Sequence, residues 1–223
     1  MARFRSSTTA PRGVHYRLFL FFVAVSCLFL GVTANAQQVV LQNDSVTDFG
    51  NATIQAGFVG GEAAAAWLTS SCEGSMIAVR ILWMSTTGTA PDELHDSIVI
   101  SNAGAFPNPG TELASISGPQ LSDGFLNEFA LPVPVVVQQG STYVVSLEFD
   151  HAPPPTGPSV VTDLDGCQNG KNGIYAIPPG AWFSSCALGV NGDFAIRAVV
   201  ECGDTGLIFQ DGFESGDTSM WSS

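Results

Sequence analysis

The chain has 223 residues, of which 20 are acidic and seven are basic, so its formal net charge is −13. After position 17 only Arg80, Lys171 and Arg197 carry a positive charge. A surface this acidic repels phosphate backbones and anionic lipid headgroups, which excludes nucleic acid as a partner and disfavours binding to charged membrane surfaces.

The segment 1–36 predicts a secretory signal peptide. Four arginines precede an apolar run over 18–32, and small residues bracket Asn35 before a cleavage position between Ala36 and Gln37. This order of regions is typical of signal peptides, and the apolar run is shorter than the roughly 20 residues that a membrane span needs. We therefore expect a secreted, periplasmic or cell-surface protein that has no membrane span after cleavage.

The segment 37–202 predicts one domain of eight to ten short β-strands. Gly, Pro, Asn and Asp separate runs of apolar or alternating residues, with few helix signals between them. Gln139-Gly140 predicts a hairpin between two of these runs, whereas 62–67 and 107–115 fit either a strand or a turn of helix. The clearest runs are 76–84, 97–101, 125–131, 134–138, 141–149, 158–163, 173–177 and 192–201. The strand number and spacing predict an all-β, jelly-roll-like antiparallel sandwich.

The last of these runs shows the period of two that a half-buried strand requires. Its larger apolar residues recur at every second position, which predicts that one set faces the core and the other set faces away. The inward set is Phe194, Ile196, Ala198 and Val200, and the opposite set is Ala195, Arg197 and Val199.

Four cysteines follow the cleavage position, and an even number in an exported chain predicts two disulfides. Three pairings are possible. We favour Cys167 with Cys186, which closes a short segment rich in turn residues, and Cys72 with Cys202. Zinc is the competing use of four cysteines, but no two of them have the C-x2-C spacing common in zinc sites.

Catalytic signatures are missing from the sequence, so no catalytic residue is assigned. His95 and His151 each adjoin an aspartate and are expected to be exposed loop histidines. Neither a G-x-S-x-G elbow nor an H-E-x-x-H motif is present to form a hydrolase site around them. Paired carboxylates remain an alternative, with Glu128 and Glu148 in predicted strands as the best placed acids.

Calcium is the one cofactor that the sequence suggests. Asp163, Asp165, Asn169 and Asn172 place four oxygen-bearing side chains in one glycine-rich segment, and oxygen ligands suit Ca²⁺. The segment lacks the distal bidentate glutamate of an EF-hand. Asn-Gly and Asp-Gly pairs are also ordinary turn residues, so a tight turn is the competing interpretation.

Tryptophans provide the ligand-binding candidate. Trp67, Trp83 and Trp182 are each able to stack on a sugar ring, but Trp83 lies in a strongly apolar run and is expected in the core. Trp182 is expected on a loop near one disulfide, where it is the better candidate for stacking on a ligand.

The segments QAGFVGGEAAAAWLTS, VRILWMS, PNPGTELASISGP, GSTYVVSLEF and GDFAIRA resemble exported β-sandwich proteins of Gram-negative bacteria, and more distantly jelly-roll modules attached to larger secreted proteins. The resemblance covers most of 55–200 and implies the sandwich fold. It carries no functional residue to this chain.

The acidic segment 203–223 is expected to form a separate C-terminal tail. Its closing DGFESGDTSMWS is similar to a short terminal motif on otherwise unrelated exported proteins of such bacteria. That similarity implies a detachable element concerned with export or surface display. The competing interpretation is a strand that pairs with an edge of the sandwich.

These features together favour an exported, non-catalytic module that binds a ligand or partner at the cell surface or outside the cell. We expect the partner to be a carbohydrate or another surface protein. The alternatives are a secreted carboxylate-dependent hydrolase and a purely structural envelope protein.

Overall fold

A computed structural model describes residues 37–47, 49–86, 92–150 and 159–203. The predicted signal peptide, with Ala36, lies outside the described residues, as do His151 and the tail beyond Gly203. Expectations that concern those segments stay predictions. Gln37, the first residue after the predicted cleavage position, is the first residue of a strand.

The described residues are built from β-structure, with fourteen strands and two short 3-10 turns at Phe49–Asn51 and Cys186–Leu188. No helix within the described ranges is long and apolar enough to cross a membrane. The strands are β1 Gln37–Leu41, β2 Ala52–Ala56, β3 Ala63–Thr69, β4 Gly74–Trp83, β5 Glu93–Leu94, β6 Ser97–Ala103, β7 Pro109–Ser117, β8 Gln120–Leu121, β9 Phe125–Val137, β10 Thr142–Glu148, β11 Ser159–Asp163, β12 Asn172–Ala176, β13 Ala181–Ser184 and β14 Ile196–Cys202.

Two main antiparallel sheets share one apolar core. The four-stranded sheet has the order β1-β14-β4-β9 and the six-stranded sheet has the order β13-β12-β3-β10-β6-β7, while β11-β2 and β5-β8 form small two-stranded sheets. Side chains from both main sheets meet in one buried cluster. Members include Met76, Val79, Ile81, Ile196, Ala198 and Val200 from the first sheet, and Ala64, Ala66, Leu68, Ile98, Ile100, Val145 and Leu147 from the second. The all-β antiparallel prediction is confirmed.

The alternation predicted for β14 and the two residues before it is confirmed. Phe194, Ile196, Ala198 and Val200 belong to the main core. Ala195 faces the other way, into a smaller cluster with Leu82 and Val161. On that opposite side the Arg197 guanidinium donates to Asp44, at 2.5 Å and 3.0 Å.

The predicted hairpin at Gln139-Gly140 is wrong, although the turn itself is present. β9 pairs with β4 in the four-stranded sheet, whereas β10 pairs with β3 and β6 in the six-stranded sheet. The connection therefore crosses from one sheet to the other. Gly140 has φ +78°, a left-handed conformation that glycine adopts without strain, and its N–H donates to the Ser70 carbonyl.

The predicted strand number was too low, and the predicted runs differ from the observed strands for several local reasons. The runs 125–131 and 134–138 join in one strand, which acts against the higher total. β9 continues through Pro132 and Pro134, which is possible because β9 is an edge strand and needs no donor on its free side. The segments 62–67 and 107–115, left open between strand and helical turn, form most of β3 and β7. Two-residue strands such as β5 give no periodic signal.

Both predicted disulfides are confirmed. Cys72, just before β4, pairs with Cys202 at the end of β14, with Cα atoms 5.8 Å apart and 130 positions between them in the chain. Cys167 pairs with Cys186 across 19 positions, with Cα atoms 5.6 Å apart. The first bond ties two central strands of one sheet, and the second closes the segment that contains β12 and β13.

Candidate functional site

Four aromatic side chains form one connected surface on the outer face of the six-stranded sheet, which we call the aromatic patch: Trp67, Phe106, Tyr175 and Trp182. The Trp67 and Trp182 rings meet nearly at right angles, with centroids 6.1 Å apart. Phe106 meets Trp67 edge-on at 5.0 Å, and Tyr175 lies 5.6 Å from Trp182. Edge-to-face contacts at these separations are favourable arrangements of aromatic rings.

Strand alternation and register bring these rings together. In β3 the side chains of Ala64, Ala66 and Leu68 enter the core, so Trp67 points to the opposite face. Tyr175 of β12 is directly opposite Trp182 of β13, and residues opposite each other project to the same face. Trp182 was expected on a loop, but it lies within β13.

Gly173 supplies the space that the Trp67 indole occupies. A Cβ atom added at Gly173 would lie 2.8 Å from the Trp67 ring, closer than carbon atoms approach in proteins. The indole therefore lies directly over Gly173 of β12, between β3 and β13. Any side chain at position 173 would displace it.

Exposure divides the patch into a base and a rim. Trp67 is only 3% exposed and packs with Ala65 and Val144, whereas Phe106 is 37% exposed and Tyr175 and Trp182 are partly exposed. The Trp67 Nε1 is a buried donor without a hydrogen-bond partner among the described residues. The rim rings present apolar area to solvent, and the base holds an unused donor beneath them.

Hydroxyl groups occupy the neighbouring positions on the same face of the sheet. Thr69 and Thr142 share a hydrogen bond of 2.9 Å between adjacent strands, and the Ser146 hydroxyl donates to the Val99 carbonyl. At the far end of β10 the Ser97 hydroxyl donates to the Glu148 carboxylate at 2.5 Å. The outer face therefore combines aromatic rings, small side chains and hydroxyl groups, with the Glu148 carboxylate at its far end.

The proposed calcium ligands separate into two groups. Asp163 and Asn172 are buried, while Asp165 and Asn169 are exposed on the connecting segment. The Asp163 carboxylate accepts from the backbone N–H groups of Ser45 and Asp193, both at 2.8 Å. These bonds give Asp163 a structural role, and calcium binding receives no positive support from the geometry and stays a prediction.

Asp193 is the centre of this buried network, and the sequence analysis missed it. It accepts from Asn172 Nδ2 and from both the backbone and the side-chain nitrogen of Gln168. Burial raises the pKa of Asp193, an effect that the hydrogen bonds from Gln168 oppose and the charges of Asp163 and Asp165 reinforce. The network fixes the segment that leads into β12, and so fixes one side of the aromatic patch.

The two acids considered for a hydrolase lie on opposite outer faces. Glu128 is exposed on β9 and pairs with Arg80 at 2.6 Å. Glu148 lies on β10 next to Leu147, a core residue of the other sheet. Because the core separates the two carboxylates, they do not form the facing pair that glycoside hydrolysis uses.

Two sequence-based expectations for single residues have different outcomes. Trp83 lies in the core with no exposed surface, as predicted. His95, expected in an exposed loop, is instead only 1% exposed. Acidic residues flank His95 in the sequence, which favours an exposed position, but the strand pairing that continues after β5 turns its ring inward.

The chain matches no protein-family model, and a search of curated proteins finds no significant match. Its function therefore has to follow from its own side chains. Of the described surface, the aromatic patch best combines partly exposed rings with a rigid support, which makes it the best candidate for a small-ligand site.

Proposed function

We propose that this protein is an exported, non-catalytic β-sandwich that binds a carbohydrate through the aromatic patch, at the cell surface or outside the cell. The observation that carries the proposal is the partly exposed rim of Phe106, Tyr175 and Trp182 above the buried Trp67. A sugar ring has an apolar C–H face that packs on such rings and hydroxyl groups that accept and donate hydrogen bonds around it.

The chemistry of the face matches an uncharged sugar. Its nearby polar groups are mostly hydroxyls, such as those of Thr69 and Thr142 on adjacent strands. The high acidic charge of the chain disfavours sulfated or otherwise polyanionic sugars, because like charges repel at close range. Neutral polysaccharide is therefore the ligand class that fits best.

Export is supported by independent features. The predicted signal peptide addresses the chain to an oxidising compartment, and two disulfides are formed in the structure. A sugar-binding module at the cell surface or beyond it would meet its ligand there.

The test is a glycan array probed with the full exported and oxidised protein, followed by titration of the best neutral glycan. Replacing Trp182 by Ala removes the central ring of the rim, and we expect affinity to fall at least about tenfold, since an anchoring aromatic residue contributes on the order of 2 kcal/mol. Tyr175→Ala should weaken binding less, because Tyr175 contacts only Trp182 within the patch.

Phe125→Ala is the matched control. Phe125 is an exposed aromatic residue at the start of β9, on the other main sheet, so its loss should leave glycan affinity unchanged. Failure to retain any glycan, or equal affinity of W182A and the unmodified protein, would contradict the proposal. The structural envelope role would then be the better description.

A further inference from the structure

One corner of the sandwich concentrates buried polar atoms that have no partner. Among the described residues, Trp83 Nε1, both carboxylate oxygens of Glu93 and both ring nitrogens of His95 are buried without a hydrogen bond. Each such atom costs about 1–3 kcal/mol, and native proteins contain only a few. Five in one corner require a chemical explanation.

The local strand geometry brings Glu93 and His95 to the same side. Glu93 and Leu94 form β5, which pairs with Gln120 and Leu121 of β8, and the His95 N–H continues the pairing to the Pro119 carbonyl at 2.9 Å. Leu94, between the two, is 55% exposed, so its neighbours both face inward.

Rings enclose the imidazole. The His95 ring meets Phe149 at 5.6 Å and Trp83 at 6.2 Å, both nearly edge to face, and Phe149 packs in turn on Phe58. His95 is 1% exposed and Trp83 is fully buried. The corner is therefore closed to solvent, which argues against a substrate site. Protonation of Glu93 and His95 is the chemical change that remains available to it.

Few charges act on this corner. The ion pairs of the described residues join Arg80 to Glu128 and Arg197 to Asp44, and neither involves Glu93. On the side of β10, Asp150 is the charged group that acts on His95. β4 contributes the uncharged Trp83 ring, β8 contributes the apolar Leu121, and β5 itself contributes Glu93.

Burial reverses the usual order in which a carboxylate and an imidazole take up protons. Burial raises the pKa of Glu93 above its ordinary 4.5 and lowers the pKa of His95 to about 4, against the opposing charge of Asp150. As pH falls, Glu93 takes up its proton before His95 does. When His95 becomes cationic, the carboxylate that would balance it is already neutral.

We propose that the Trp83–Glu93–His95 corner is an internal acid-sensitive latch, in which protonation of the enclosed imidazole releases β5 and β8 from the sandwich. β5 and β8 pair through only two residues each, so they form the smallest sheet of the described fold. The unfolded form binds the proton of His95 preferentially between pH 6.5 and about 4, so the His95 contribution to the stability of the closed corner is lost as pH falls through that window. The Glu93 contribution acts in the opposite direction and is already complete below pH 4.5.

Hydrogen exchange followed by mass spectrometry on the full oxidised protein tests the latch, with exchange times scaled for the intrinsic effect of pH. We expect 92–96 and 119–122 to lose protection as pH falls toward 4, while the strands of both main sheets stay protected. His95→Phe keeps a ring of similar size without a titrating group, and it should lower the opening midpoint by roughly one pH unit or more.

Two variants make the result specific. His151→Phe changes the other histidine of the exported segment and should leave the opening midpoint unchanged. Glu93→Gln should leave an opening midpoint below pH 4.5 unchanged, because Glu93 is then protonated in both the closed and the open corner. A shift in E93Q, or identical midpoints for H95F and the unmodified protein, would overturn the latch.

A direct titration decides the matter even if H95F fails to fold. The imidazole proton signals of His95, assigned by their persistence in H151F, should shift with a midpoint near pH 4 in the folded protein. A midpoint near the ordinary value of 6.5 would show that the imidazole reaches solvent or a counter-charge, and the proposal would fail.

Discussion

Single residues in this protein carry roles that their types alone do not reveal. Glu93 is an ordinary acid in the sequence, yet both of its oxygens are buried without a hydrogen-bond partner in the part of the chain that the structure describes. Asp163 looked like a calcium ligand, yet it accepts hydrogen bonds from two backbone N–H groups. In each case the role of the carboxylate depends on whether hydrogen-bond donors lie next to it. Those donors come from segments that are distant in the sequence.

The pH dependence of the free energy of unfolding tests the effect of burying Glu93. Because its folded-state pKa is raised, its contribution to stability is full below pH 4.5 and is lost as pH rises through the folded value. Glu93→Gln should therefore be more stable than the unmodified protein at neutral pH, by about 1.4 kcal/mol for each unit by which the pKa is raised.

Urea unfolding of E93Q and the unmodified protein at several pH values measures this difference. Glu112→Gln, at an exposed position of β7, is the matched control and should show no such trend. A stability difference between E93Q and the unmodified protein that does not grow with pH would contradict the prediction.

The sequence predicted residues well where one local rule was sufficient. The alternation in 194–200 identified the inward set, and an apolar run placed Trp83 in the core. The contact between Trp67 and Trp182 could not be predicted, because it depends on the register by which β12 joins β3 to β13. Sequence patterns give the face of a strand but not its neighbour.

At the scale of elements, propensity and context compete. β3 contains four consecutive alanines, which favour helix when isolated, but β3 pairs with β12 on one side and β10 on the other. Small side chains also leave room on the outer face for the Trp67 ring. Pairing with β10 and β12 therefore makes this alanine-rich segment a strand, and the strand supports the aromatic patch.

The junction of β3 and β12 gives a prediction about the patch. Gly173→Ala places a methyl group 2.8 Å from the Trp67 ring, so the indole must tilt away. We expect weaker glycan binding and a stability loss of about 1–3 kcal/mol, the usual cost of overpacking. Titration calorimetry and chemical unfolding measure the two effects.

A second glycine separates lost stability from lost binding. Gly124 has φ +75° and open space around it, so Gly124→Ala strains the backbone without touching the patch. It should reduce stability while binding is retained. Equal glycan affinity in G173A and G124A would show that the position of Trp67 does not matter to the site.

For the whole molecule, the Cys72–Cys202 bond is the covalent link of longest range. Replacing both cysteines by Ser should reduce the free energy of unfolding by about 2–5 kcal/mol, because the unfolded chain is no longer closed into a loop. C167S/C186S opens a loop of only 19 positions and should cost less. Denaturant midpoints of the two double variants, compared with the oxidised protein, give the ranking. The reverse ranking would indicate that the short bond chiefly holds the folded segment in place.

The scarcity of basic residues limits cleavage by proteases that cut after Lys or Arg. Beyond residue 36, an enzyme that cuts after Lys or Arg finds three positions. Arg80 lies within β4 and Arg197 within β14, and each is held by a carboxylate. Lys171 is the one that lies outside the strands, in the turn before β12, and it is between Cys167 and Cys186. A cut after Lys171 leaves the two fragments joined by the Cys167–Cys186 disulfide. We therefore expect trypsin-like enzymes to nick the protein there without separating the fragments.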